Sequence, residues 1–152
     1  MQFAIPDTSI HYFGKGKLAK INPVKNEVNS IHIILVDDDP VLVDTMKELL
    51  EMLGYIVATA TGGNEAIALM KSFTPDVVIT DYAMPGMNGI EFALHARKVL
   101  GDTPVILCSG SIHLIDGQQM TGAGLAGVVS KPCSVREIDS TIKKVIAEKK
   151  KI

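Results

Sequence analysis

The chain has 152 residues, 47% of them hydrophobic and 21% charged, enough to bury the core of one compact domain with a short extension. Its 15 Lys and Arg stand against 17 Asp and Glu, a formal charge of -2 that supplies no global basic field and speaks against direct nucleic-acid binding. No apolar run approaches the roughly 20 residues of a membrane helix, and the opening MQFAIPDTSI lacks the charged and apolar regions of a secretory signal.

Residues 1–30, from MQFAIP to NEVNS, carry two prolines, two glycines and scattered lysines with no sustained period, and read as a linker or tail. Residues 31–149 read as one domain and 150–152 as its C-terminal end. From Ile31 onward, IHIILV, YIVATA, DVVIT, PVILCS and AGVVS are aliphatic, β-branched runs of strand length. Helical spacing fills the gaps: Leu42, Met46, Leu49 and Leu53 form a first stripe, Ala66, Leu69, Met70 and Phe73 a second, and Ile90, Leu94, Arg97 and Val99 a looser third. The fourth gap, IHLIDGQQMTGAG, contains Gly117, Gly122 and Gly124, each costing about 0.5–1 kcal/mol relative to alanine inside a helix. It predicts a short, frayed helix or a plain loop. In SVRE, Ser134 and Glu137 form a capping box ahead of a face made by Ile138, Ile142, Val145 and Ile146, and the lysines of EKKK suit the helix C-terminus.

Five strands alternating with five helices predict an α/β domain whose parallel sheet is covered on both faces. Sites in such sheets form beyond the carboxyl ends of the strands. Asp37, Asp38 and Asp39 follow the first strand, Asp81 the third, Ser109 the fourth and Lys131 the fifth. Parallel strands bring these groups to one rim, a set suited to phosphoryl transfer onto a carboxylate. Neighbouring aspartates repel one another unless a cation intervenes, and a hard, oxygen-preferring ion such as Mg²⁺ offsets that repulsion and later the charge on phosphoryl oxygens. Lys131 adds a second positive charge and Ser109 a hydrogen bond. Pro40 suits the first helical turn, which makes Asp39 an N-cap and leaves Asp37 and Asp38 as the metal-side pair.

ILVDDDP, DYAMPGMNG, LCSG and SKP, in this order and each at a strand end, resemble the CheY-like receiver domain of two-component response regulators. The resemblance covers about Ile31 to Glu148. It implies a flavodoxin-like (βα)5 doubly wound, five-stranded parallel sheet in the order 2-1-3-4-5. It implies that Asp81 accepts a phosphoryl group from a phosphohistidine on a histidine kinase or histidine phosphotransfer protein, the domain catalysing only its own phosphorylation and dephosphorylation. Mg²⁺ would sit on Asp38, Asp81 and the backbone carbonyl of Ala83, with Asp37 acting mainly through water. Lys131 and Ser109 would contact the phosphoryl group, Ser109 moving toward it on activation. Met84-Pro85-Gly86 and Gly89 would shape the loop after Asp81, and Gly110 would leave the acceptor open. Ala83 and Ser111 resemble positions that tune hydrolysis. One departure stands out: three residues before the lysine, where the family carries Tyr or Phe, this chain has Val128. The aromatic part of the switch is thus absent, and output falls to backbone movement around the fourth helix. The implied partners are a downstream protein or the rest of a hybrid histidine kinase, to which the tail would connect, with dimerisation through the face of helix 4, strand 5 and helix 5. The implied location is cytoplasmic.

Other residues read more plainly. His95 and His113 are expected at the surface, the methionines at packing positions, and Lys149 to Lys151 at a solvated end. Cys108 reads as a small hydrophobe; with Cys133 it suits a reducing compartment as packed or surface thiols rather than a disulfide or zinc site. Three rival readings draw on the same residues. A haloacid-dehalogenase-like phosphatase would use Asp37 and Asp39 as nucleophile and acid, with Ser109 and Lys131, but leaves DYAMPGMNG unexplained. A flavodoxin-like cofactor binder would have its phosphate repelled by DDDP. A pseudo-receiver that only binds partners is favoured by Val128 and opposed by the intact Asp81, Ser109 and Lys131.

Overall fold

The computed structural model describes residues 12–13, 16–17 and 30–150. The chain divides into two units, Met1–Ser30 and Ile31–Ile152. In the first, Tyr12–Phe13 pairs antiparallel with Gly16–Lys17; the rest of the stretch read as a tail lies outside the described residues.

The second unit alternates strand and helix. Its elements are β1 (His32–Val36), α1 (Pro40–Met52), β2 (Ile56–Ala60), α2 (Gly63–Leu69), β3 (Val77–Thr80), α3 (Gly89–Leu100), β4 (Val105–Ser109), α4 (Gly117–Gly122), β5 (Gly127–Ser130) and α5 (Val135–Lys150). A 3-10 turn, Ile112–Leu114, precedes α4. All pairings in the sheet are parallel, in the order β2-β1-β3-β4-β5, as the resemblance implied. Order reverses between β1 and β3, so helices cover both faces.

The aliphatic runs are continuous because both faces are dry. Ile34 and Val36 of β1 point into one core with Val78, Phe92, Ala93, Ala96 and Leu107. Their neighbours Ile33 and Leu35 point into the other, with Leu50, Ile79, Ile106, Ile138 and Ile142. Strand side chains alternate between faces, so each central strand feeds two cores at once, and a one-residue slip would exchange them.

Two helix faces differ from the expected stripes. In α1 the buried residues are Val43 and Leu50, whereas Leu49 and Leu53 are exposed. In α3 the buried face is Ile90, Phe92, Ala93 and Ala96, and Leu94, Arg97 and Val99 face solvent. The α2 and α5 stripes hold: Ala66, Met70, Ile138, Ile142 and Val145 are buried. Asp39 caps α1, its Oδ1 accepting from the Val41 and Leu42 amides at 3.0 and 3.2 Å. The capping box of α5 is closed in both directions: Glu137 N–H donates to Ser134 Oγ, and Ser134 N–H to Glu137 Oε2. α4 is six residues long and buries none of them, which fits its glycine content. Most methionines pack, but Met52 is 81% exposed. His95 and His113 are both exposed. Among the described residues no helix is long and apolar enough to cross a membrane.

Tyr55, in the turn between α1 and β2, donates its hydroxyl to Asp139 Oδ1 on α5. Burial, then the bond to Asp139 and its charge, push the phenol well above its ordinary pKa. At Asp139 burial opposes ionisation, but the Tyr55 hydroxyl and Lys143, 2.9 Å away, outweigh it and hold the carboxyl below its ordinary range. Asp139 thus adds stability above its unfolded pKa that is lost as pH falls through the folded one. Tyr55→Phe is expected to cost about 1.5–3 kcal/mol at neutral pH, the range for a bond to a charged group. The cost should shrink as acid protonates Asp139, read by urea unfolding across pH.

Candidate functional site

Parallel register builds the site. Val36 is aligned with Thr80, and Ser109 with Ser130, so the residues that follow emerge along one edge. Backbone bonds extend each ladder by a step: Asp37 N–H donates to Ala60 O at 3.2 Å, Asp81 N–H to Val36 O at 3.0 Å and Lys131 N–H to Ser109 O at 2.9 Å. The rim is thereby fixed by main chain, not by loops alone.

Asp37 is buried, Asp38 exposed and Asp81 between the two, and one carboxylate oxygen of each lies within 4.8 Å of the others. An all-oxygen donor set of this kind fits a hard divalent cation. Among the described residues it is the only group of three or more acidic, His or Cys side chains so arranged. Lys131 Nζ stands 2.6 Å from Asp37 Oδ2 and 3.6 Å from Asp81 Oδ1. The other oxygen of Asp37 accepts the Asp39 amide at 3.0 Å. A buried carboxylate is tolerated when it is paired and hydrogen-bonded, and Asp37 is both.

The carboxylate of Asp81 is subject to opposing effects. Burial raises the pKa of Asp81, Lys131 pulls it down, Asp37 pushes it up, the Tyr82 amide bonded to Oδ1 at 2.8 Å lowers it and Asp38 raises it; the balance is upward. Burial works against the charge of Lys131, but its bond to Asp37 and the charges of Asp37 and Asp81 outweigh that, and its pKa rises. The ammonium is therefore charged at neutral pH.

Ser109 is buried at the end of β4, its Oγ accepting the Ser111 amide at 3.0 Å. Accepting leaves the hydroxyl its own hydrogen to donate. Gly110 is exposed beside it, and Ala83 is exposed in the loop after Asp81. Val128 lies on edge strand β5 opposite Leu107 and is 42% exposed. Gly86 has φ of 80°, a left-handed conformation that glycine enters freely. Gly89 is needed for a different reason: a Cβ there would come within 2.2 Å of the Asp81 carbonyl oxygen. The start of α3 packs directly on the backbone of Asp81, and the Gly89 amide donates to Tyr82 O at 2.8 Å.

Sequence reasoning did not single out Thr80, fully buried, whose Oγ1 donates to Asp81 O at 2.9 Å. Its signal was a hydroxyl ending the aliphatic run DVVIT. The 94-residue span between Asp37 and Lys131 hid their ion pair. Asp39, the acid of the phosphatase rival, has its carboxylate committed to the first turn of α1 and is not in the cluster.

A family model for the response regulator receiver domain matches residues 33–143. The regulator of RpoS from Escherichia coli (strain K12) is 33% identical over 100 residues, covering 66% of this chain and 30% of that protein. The chain therefore spans less than a third of that relative's length. A CheY-like receiver domain protein from Methanospirillum hungatei JF-1 superposes with a TM-score of 0.76 at 28% identity, over 80% of this chain and 98% of that one. TrrA from Thermotoga maritima, solved in complex with Mg(2+)-BeF, gives a TM-score of 0.69 at 33% identity, over 76% and 98%.

Because the folded-state pKa of Asp81 is raised, its ionisation weakens the fold. The penalty is absent below the unfolded pKa, grows as pH rises and is complete above the folded value. With a chelator present, Asp81→Asn is expected to be more stable than the wild type at neutral pH, the advantage vanishing below the ordinary aspartate range. Gly89→Ala should lower stability by about 1–3 kcal/mol through overpacking. It should also reduce divalent-cation affinity, read by titration calorimetry, because α3 can retreat only by shifting the backbone of Asp81.

Proposed function

The chain belongs to the response regulator receiver domain family, a signalling module of two-component systems, and from that premise we propose that Asp81 is its phosphoacceptor. The observation that carries the proposal is the convergence of Asp37, Asp38 and Asp81 with the ammonium of Lys131 between Asp37 and Asp81. The donor is a phosphohistidine on a histidine kinase or a histidine phosphotransfer protein. A carboxylate oxygen of Asp81 attacks phosphorus in line. The new P–O bond forms as the P–N bond breaks, and the electron pair returns to the imidazole of the donor.

Asp37, Asp38, Asp81 and the backbone carbonyl of Ala83 would hold Mg²⁺, and the Thermotoga neighbour solved with Mg²⁺ supports the identity of the ion. When bound, the ion supplies positive charge to the oxygens of the transferred group, the main need of phosphoryl transfer. Lys131, within reach of both Asp37 and Asp81, provides the protein's own positive charge to the same oxygens. The Tyr82 amide orients Asp81, leaving the second carboxylate oxygen to react. Ser109 donates its hydroxyl hydrogen to the phosphoryl group, moving toward it and giving up its contact with the Ser111 amide. That movement shifts the β4–α4 segment, and α4, β5 and α5 then present a changed surface to a downstream protein, to the rest of a hybrid histidine kinase or to a second copy. Val128, exposed there with no ring to bury, leaves the hydroxyl as the switch element. We place this receiver at 31–149, in the cytoplasm, catalysing only its own phosphorylation and dephosphorylation.

Incubation with acetyl phosphate and Mg²⁺ should add one phosphoryl group by intact mass, mapped to the peptide containing Asp81. Asp81→Asn should take up none while keeping its circular dichroism spectrum. Lys131→Ala should slow uptake by on the order of a hundredfold, the scale of one lost charge-stabilising donor, with Mg²⁺ affinity changed far less. Uptake by Asp81→Asn equal to the wild type would refute the assignment.

A further inference from the structure

Cys108 and Cys133 are 25 positions apart in sequence, yet their sulfurs lie 3.3 Å from one another. Both are free thiols; Cys108 is buried and Cys133 half-buried. Cys108 sits in β4 in register with Val129 of β5, so its position is set by the sheet. Cys133 follows Lys131 and Pro132 in the segment before α5, outside the regular elements. One partner is held and the other stands on a connection with room to adjust. A cavity of about 470 Å³ runs beneath the acidic rim and is lined by Asp81, Lys131, Cys108 and Cys133 together with Leu42 and Met46 of α1, so a small reagent reaching the rim reaches the sulfurs. Metal binding is a poorer reading: among the described residues no third acidic, His or Cys ligand joins the pair on a common ion, and structural thiolate sites use four ligands.

We propose that Cys108 and Cys133 form a reversible intramolecular disulfide that restrains the Lys131 segment and slows phosphoryl uptake by Asp81. The braking role rests on the reading of Asp81 as phosphoacceptor; the disulfide itself does not. Bonding needs a sulfur separation of about 2.05 Å, so the sulfurs must close by little more than an ångström. Burial, then the hydrogen bond shared with Cys133, push the Cys108 thiol up, which fits the less buried Cys133 as the first to react. With hydrogen peroxide as oxidant, the Cys133 sulfur attacks one peroxide oxygen. An S–O bond forms, the O–O bond breaks, and the departing oxygen takes the thiol proton and leaves as water. The Cys108 sulfur then attacks the Cys133 sulfur; an S–S bond forms, the S–O bond breaks, and the hydroxide leaves as a second water with the Cys108 proton. Two thiols lose two electrons and the peroxide gains them. A dithiol reductant reverses the change and becomes a disulfide itself.

The consequence follows from chain connectivity. Cys108 is bonded to Ser109, and Cys133 is two residues from Lys131. Drawing Cys133 toward β4 displaces a lysine whose ammonium is 2.6 Å from Asp37 and 3.6 Å from Asp81. Misplacement of a reacting constellation by about 1 Å can cost a hundredfold in rate, so partial displacement is expected to slow uptake by on the order of tenfold.

The test treats the full chain with hydrogen peroxide, maps peptides without reduction and times phosphoryl uptake from acetyl phosphate before and after, with Cys133→Ser as control. Expected are a linked Cys108–Cys133 peptide, roughly tenfold slower uptake, recovery with dithiothreitol, and no slowing in Cys133→Ser. Absence of the linked peptide in monomeric oxidised protein overturns the proposal whatever the uptake rates. A linked peptide with unchanged uptake, or equal slowing in Cys133→Ser, overturns the brake. Should the reduced wild type take up no phosphoryl group at all, it is the assignment of Asp81 that falls, and the disulfide is still judged by the peptide map.

Discussion

The ion pair between Lys131 and Asp37 is the constraint on which the rest of the rim depends. Asp37 is buried at the end of β1 and would be strongly disfavoured there without a cation. The cation comes from the end of β5, the edge strand on the far side of β3 and β4, and its side chain reaches past the ends of both. That single bond therefore ties first and last strands together across the sheet. It also sets a competition, because the ammonium that neutralises Asp37 stands 3.6 Å from Asp81 as well, and two carboxylates share one positive charge. Its position close to both carboxylates means that transfer from one role to the other requires a small swing of one flexible side chain.

The sheet makes such a bond possible by being rigid where the rim is not. Two cores, one on each face, meet in the central strands, and Ile33 to Val36 serve both alternately. Displacing β1 or β3 would disturb packing on both sides at once, which close-packed interiors resist. Thr80 and Gly89 extend that rigidity to Asp81: one hydroxyl holds its carbonyl, and the missing side chain of the other lets α3 press against it. Chemistry at the rim can change charge without moving the platform beneath it.

Much of this was legible in the sequence because it depends on local pattern. Five aliphatic runs announced the sheet, the acidic and basic residues after them announced the rim, and SVRE and DDDP announced two helix starts. What escaped was set by phase or by distance. In α1, Leu42, Leu49 and Leu53 offered as good a stripe as Val43 and Leu50, and only the angle at which α1 meets β1 decides between them. In α3, burial falls on Ala93 and Ala96 beside Ile90 and Phe92, and the two alanines permit close approach but give almost no hydrophobic signal. The pairs Asp37–Lys131 and Cys108–Cys133 depend on strand order and register, and no spacing along the chain encodes them.

The shortness of α4 has a last consequence. The helix contributes no buried side chain of its own and is anchored at its flanks, by Ile115 before it and Ala123 after it. Between those anchors only Met120 rests half-buried on the core, so the span can be redrawn at the cost of that one apolar contact. Its alternative arrangements therefore lie close in free energy. A signal of only a few kcal/mol suffices to invert their populations, which makes this span more responsive than the two-faced sheet it rests on.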